Sequence, residues 1–126
     1  MGDFAKLHVW RKAHALAINV HSVAIRIRGS NYASLRSQLI RAAMSIPANI
    51  VEGRGQSSER NFARFLEFAL NSSSELEYHL VVARDIRAIT LNDFRSLTDQ
   101  LIEVRKMLRG LLNRIKASSM FYSPTQ

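Results

Sequence analysis

The stretch from Thr90 to Ile115, TLNDFRSLTDQLIEVRKMLRGLLNRI, decides the fold. Its apolar residues Phe94, Leu97, Leu101, Val104, Leu108, Leu111 and Ile115 recur at alternating spacings of three and four. That rhythm keeps one face of a helix turned inward, so this segment reads as a helix whose seam packs on other helices. Thr90 and Asp93 make a capping-box-like start for it.

Working outward, the same stripe occurs three more times. Phe62, Leu66, Ala69, Ser73, Leu76, Leu80 and Ala83 follow an expected N-cap at Ser57, with Glu59 in the first turn. Leu35, Leu39, Ala42, Ile46 and Ile50 precede Gly53 and Gly55, and Val9, Ala13, Leu16, Val20, Val23 and Ile27 stop before the turn residues Gly29, Ser30 and Asn31. The spans expected are about 8–28, 32–53, 57–88 and 92–116, with a flexible tail over 117–126. Connections this short make consecutive helices antiparallel neighbours, so the fold class is an all-α, up-down-up-down four-helix bundle in one domain, 1–126. Pro47 interrupts the second stripe, where it removes a backbone donor and crowds the carbonyl of Ala43. Because Ile46 and Ile50 keep the rhythm across it, a kinked helix is expected in preference to two short ones.

The chain carries a formal charge of +8, unevenly spread. Residues 1–51 hold seven bases against Asp3 alone, residues 52–103 hold six bases and nine acids, and residues 104–126 hold five bases and no acid. In an up-down-up-down bundle the first and last helices are neighbours, which joins the two basic ends. Arg11, Lys12, Arg26 and Arg28 with Arg105, Lys106, Arg109, Arg114 and Lys116 are therefore the expected nucleic-acid-binding residues, able to neutralise phosphates with little sequence readout. The absence of cysteine rules out disulfides and thiolate metal sites and makes a reducing cytoplasm the simplest home. Asp3, Lys6 and His8 interrupt the apolar run a signal peptide needs, and no segment approaches the ~18 apolar residues of a membrane span. No membrane partner is expected.

A second set of residues carries a family resemblance. Arg41-Ala42-Ala43-Met44-Ser45-Ile46-Pro47-Ala48-Asn49-Ile50-Val51-Glu52-Gly53, followed by Arg64-Phe65-Leu66 and Ser74-Glu75-Leu76-Glu77, resembles the signature of the 23S ribosomal RNA intervening-sequence proteins. Phe4, Leu7, Val9, Trp10 and Ala13 are similar to that family's opening pattern, and Asn71-Ser72 departs from its usual Gly-Ser pair. The resemblance implies a four-helix protomer of a ring-like homo-oligomer, a pentamer in relatives, with a basic surface suited to RNA or DNA. The accessory variability determinant of diversity-generating retroelements is similar in fold and assembly, which implies a reverse transcriptase as an alternative partner and an adaptor role as the alternative function.

The signature residues Arg41, Ser45, Pro47, Asn49, Glu52, Gly53, Arg64 and Glu75 read as a satisfied structural network, since polar groups near a core must be paired. A turn centred near Gly55 makes residues face one another when their numbers sum to about 110, which sets Asn49 near Asn61 or Phe62 and Arg64 near Ser45 and Glu52. A turn at Thr90 sets Glu75 near Arg105 and Asp85 near Arg95. Phe65, Phe68 and Met44 exceed what one narrow seam can bury and are the expected oligomer interface. Phe121 and Tyr122 in the tail carry no assigned role. No metal, cofactor or catalytic activity is expected: Glu75 and Glu77 precede His79 by four and two, unlike the Glu-x-x-His pairs of di-iron bundles, and His8, His14 and His21 are not spaced as a helical metal pair.

Overall fold

The computed structural model describes residues 3–117, with side chains from Lys6 onward; Phe4, Phe121 and Tyr122 lie outside the described side chains. Four helices follow in order: α1 (Asp3–Ala24), α2 (Ala33–Arg54), α3 (Glu59–Asp85) and α4 (Leu91–Lys116), with one short 3₁₀ turn, Ser30–Tyr32, before α2. Among the described residues there is no strand. The core is the four stripes: Leu16, Leu39, Ile46, Leu66, Leu80, Leu101 and Leu108 are all at most 1% exposed. Each such leucine or isoleucine stabilises the fold by about 1.5–3 kcal/mol through the apolar surface it removes from water.

α1 packs on α2 and α4, and α3 packs on the same two helices, while the diagonal pairs do not approach backbone to backbone. Facing residues run in opposite order along neighbours. Between α1 and α4, Asn19 pairs with Gln100 and Lys12 with Glu103, and Arg26, two residues past the end of α1, pairs with Asp93.

The helix ends differ from the expected ones for local reasons. α1 begins five residues earlier and stops at Ala24, where the bonds from Arg26 and Ile27 shorten to the i−3 carbonyls of Val23 and Ala24. Ile27 remains buried although the helix has ended, which is why the stripe overran. The guanidinium of Arg36 then donates to the carbonyls of Ile27 (2.7 Å) and Gly29 (2.9 Å) and fastens this connection. Gly29 has φ 107°, and a side chain there would also meet Asn31.

α2 is unbroken through Pro47. The cap of α3 is Ser58, not Ser57: its extended backbone lets Oγ accept from the Asn61 amide at 3.1 Å. At the other end α3 stops at Asp85, three residues short of the expected position. There the Ala88 amide bonds to the Ala83 carbonyl, the Arg87 amide to that of Arg84, and Arg87 takes φ 60°. This is a Schellman motif with arginine where glycine is usual, so no glycine marks the boundary. The start of α4 is as expected, with Thr90 Oγ1 accepting from the Asp93 amide at 3.0 Å.

Candidate nucleic-acid interface and polar seam

The nine basic residues expected to form one ridge divide into two groups. Lys12 lies 3.5 Å from Glu103, Arg26 3.1 Å from Asp93, Arg105 3.0 Å from Glu77 and Lys116 3.4 Å from Glu67. These four bridge helices. Arg105 is the clearest correction: it also donates to the side-chain oxygen and carbonyl of buried Ser73, so it belongs to the α3–α4 seam rather than to an open phosphate-binding face. Arg11, Arg28, Lys106, Arg109 and Arg114 are exposed and make no ion pair among the described residues. They do not all share one face, since Arg114 borders the α1–α4 groove with His8 and Met107, whereas Arg109 borders the α3–α4 groove with Phe68 and Asn71.

Neither expected ion pair across α3 and α4 forms. Arg105 takes Glu77 and not Glu75, while Asp85 pairs with its neighbour Arg84 and not with Arg95. Arg84 lies over the Phe94 ring instead, 4.6 Å from its centroid.

Across α2 and α3 the register is shifted. Arg41 bonds to Glu75, Ser45 to Ser72, and Gly53 faces Phe62 and Phe65, so facing numbers sum to about 115–118 and not 110. The physical cause is the length of the connection, because α3 starts only at Glu59. Asn49 consequently does not meet Asn61 or Phe62, and donates to the Ser45 carbonyl at 2.8 Å. Arg64 and exposed Glu52 are not drawn into this network. Arg64 lies beside the rings of Phe65 and Phe68, at 5.8 and 5.9 Å from their centroids. Pro47 points the other way, into the α1–α2 groove.

Glu75 is the hub of the polar seam. Arg41, itself bonded to Gln38, donates to it, and the buried Nε2 of His79 lies 3.5 Å away without a closer acceptor. Desolvation acts to raise the Glu75 carboxyl, but the hydrogen bonding and charge of Arg41 and His79 outweigh it and hold the group below its ordinary 4.5. Gly53 closes the seam: a Cβ there would stand 2.6 Å from a ring carbon of Phe62 and 3.0 Å from Phe65 Cβ.

The residues expected to form one oligomer interface lie on two surfaces. Met44, 55% exposed, lines an apolar groove of about 450 Å³ between α1 and α2 with His14, Ile18, His21, Ile40 and Pro47. Phe65 and Phe68 stand on α3 instead, edge to face at 5.5 Å. Ile18 on α1 is exposed in the same groove as Met44, Ile25 just past α1 and Val51 on α2 are exposed as well, and sequence reading assigned Ile18 and Ile25 no role. Their signal was available, since Ile18 and Ile25 fall outside the first stripe.

A four-helix bundle with an internal polar seam, exposed cations and a separate apolar groove is thus the class of molecule present. The chain belongs to the 23S rRNA-intervening sequence protein family, whose model matches residues 5–110. A crystal structure of a protein of unknown function from the S23 ribosomal protein family of Bacteroides thetaiotaomicron VPI-5482 is similar in fold, with a TM-score of 0.81 at 24% identity over 86% of this chain and 98% of that one. No curated protein matches this chain in sequence. Among the described residues no group of three His, Asp or Glu converges as a metal site, and no helix is long and apolar enough to cross a membrane.

Proposed function

We propose that this chain acts as a non-enzymatic, basic, homo-oligomeric nucleic-acid-binding protein, its antiparallel bundle being the protomer of a ring. The observation that carries the reading is selective neutralisation. Lys12, Arg26, Arg105 and Lys116 are consumed in bridges between helices, yet Arg11, Arg28, Lys106, Arg109 and Arg114 face solvent without a carboxylate partner among the described residues. Cations left open on a +8 chain suit a polyanion, and displacement of its counterions drives association. Membership of a family described by a ribosomal RNA intervening sequence supports the same reading. Self-association is supported by exposed apolar side chains: Ile18 and Met44 share the α1–α2 groove, and Ile25 and Val51 are, like them, more than half exposed.

The test is titration of labelled RNA and DNA at low and moderate salt, with the assembly's mass measured in parallel. Binding at low salt that weakens steeply as salt rises is expected, on an oligomer. Absence of binding to either polymer at low salt ends the nucleic-acid reading and leaves docking on an acidic protein, such as a reverse transcriptase. A strict monomer ends the ring.

A further inference from the structure

We propose that the α3–α4 groove is a stacking site for single-stranded nucleic acid, with the Phe68 ring as platform for one unpaired base and Arg64 and Arg109 as its flanking phosphate contacts. This rests on the nucleic-acid reading above and gives it a place and a strand type.

Phe68 is 42% exposed in polar surroundings, which a ring serving only the core would not be. It borders a groove of about 470 Å³ with Asn71, Ser74, Arg109, Lys116 and Glu67, a size within the usual range of about 300–1,000 Å³ for small-molecule sites. The platform is held in place. Phe65 meets Phe68 edge to face at 88°, and Phe65 is itself backed by Gly53 at the close approach of α2 and α3. Arg64 stands 5.9 Å from the Phe68 centroid, so a cation accompanies the ring, and Arg109 is exposed without an acidic partner among the described residues. The adverse charge, Glu67, is matched by Lys116 at 3.4 Å.

Charge and aromatic surface together select the strand type. A single ring can reach the face of a base only when that base is unpaired, and stacking of this kind tolerates any base because each has a π-face. The exposed amide of Asn71 and hydroxyl of Ser74 can touch a base edge without imposing a sequence. The Met44 groove lacks this combination, since no arginine or lysine lines it.

The experiment compares fluorescence anisotropy of a labelled single-stranded RNA of about a dozen nucleotides, within the site sizes such surfaces cover, with that of a duplex of the same length. Wild type, Phe68→Ala, Phe68→Trp and Arg109→Ala are measured, with the mass of each assembly. Phe68→Ala is expected to weaken single-strand binding about tenfold, as loss of one base-aromatic stack does. Duplex binding should stay unchanged, and Phe68→Trp should restore the single-strand affinity. Arg109→Ala should weaken single-strand binding and flatten its salt dependence by about one phosphate contact. Wild-type affinity in Phe68→Ala, equal loss of single-strand and duplex binding, or a smaller assembly each overturns the stacking site while leaving nucleic-acid binding in place. A wild-type protein that binds neither probe overturns both.

Discussion

The α2–α3 seam and the α1–α4 seam join neighbouring helices of the same bundle by opposite means. α2 and α3 come close enough that Gly53 has no room for a methyl group, and short hydroxyls meet between them, Ser45 on Ser72, with one longer pair, Arg41 on Glu75, at the margin. α1 and α4 are spanned at their edge by long exposed side chains, in the pairs Lys12–Glu103, Asn19–Gln100 and Arg26–Asp93. A seam closed by shape makes its residues hard to replace. A seam edged by charge in water is far more tolerant, because solvent screens each pair and ordering two long side chains costs entropy.

The largest expected effect breaks the first seam. Gly53→Ala should cost about 1–3 kcal/mol in denaturant unfolding, since overpacking displaces Phe62 or parts the helices. Gly110→Ala, where nothing lies within 4 Å, should instead gain about 0.5–1 kcal/mol from helix propensity. If the two substitutions shift stability alike, the close-approach argument fails.

Arg105→Ala lies between the two regimes, because it strips Ser73 and Glu77 of a half-buried partner; a loss of about 1–2 kcal/mol is expected. Arg87→Gly should raise the melting temperature, gaining about 1 kcal/mol by relieving the left-handed backbone at φ 60°. Arg26→Ala, at the α1–α4 edge, should cost no more than about 0.5 kcal/mol, an effect that disappears in high salt.

The smallest effect expected is the pH dependence of the α2–α3 seam. Because the Glu75 carboxyl is held below 4.5 in the folded chain, its contribution is present above the unfolded value and is lost as pH falls through the folded one. Glu75→Gln should flatten unfolding curves measured below pH 4.5, slightly, since the side chain is 38% exposed and screened. An unaltered acid limb would remove Glu75 as the titrating group.

The four stripes were legible because burial enforces periodicity: from Val9 to Ile115 the stripe residues turn inward, including the polar Ser73. Helix ends were less so. Ile27 is buried beyond its helix, and Arg87 does a glycine's task, so neither the apolar rhythm nor a breaker residue marked those boundaries. The polar seam was half legible. Arg41, Ser45, Asn49 and Glu75 gather between α2 and α3, yet their partners depended on where the turn is centred, and a centre about three residues later moved the α2–α3 pairings. The charge ridge was least legible, because a count of bases cannot tell which will lean across a helix boundary to a carboxylate.

The Arg36 clasp bears on the order in which the molecule takes shape. Its two carbonyl acceptors lie only seven and nine residues upstream, so closing the α1–α2 connection needs little loop-closure entropy and nothing from α3 or α4. During synthesis, when the amino-terminal part emerges first, the first hairpin can therefore fasten its own corner while the second half is still within the ribosome. It then offers α3 and α4 a formed apolar edge on which to close.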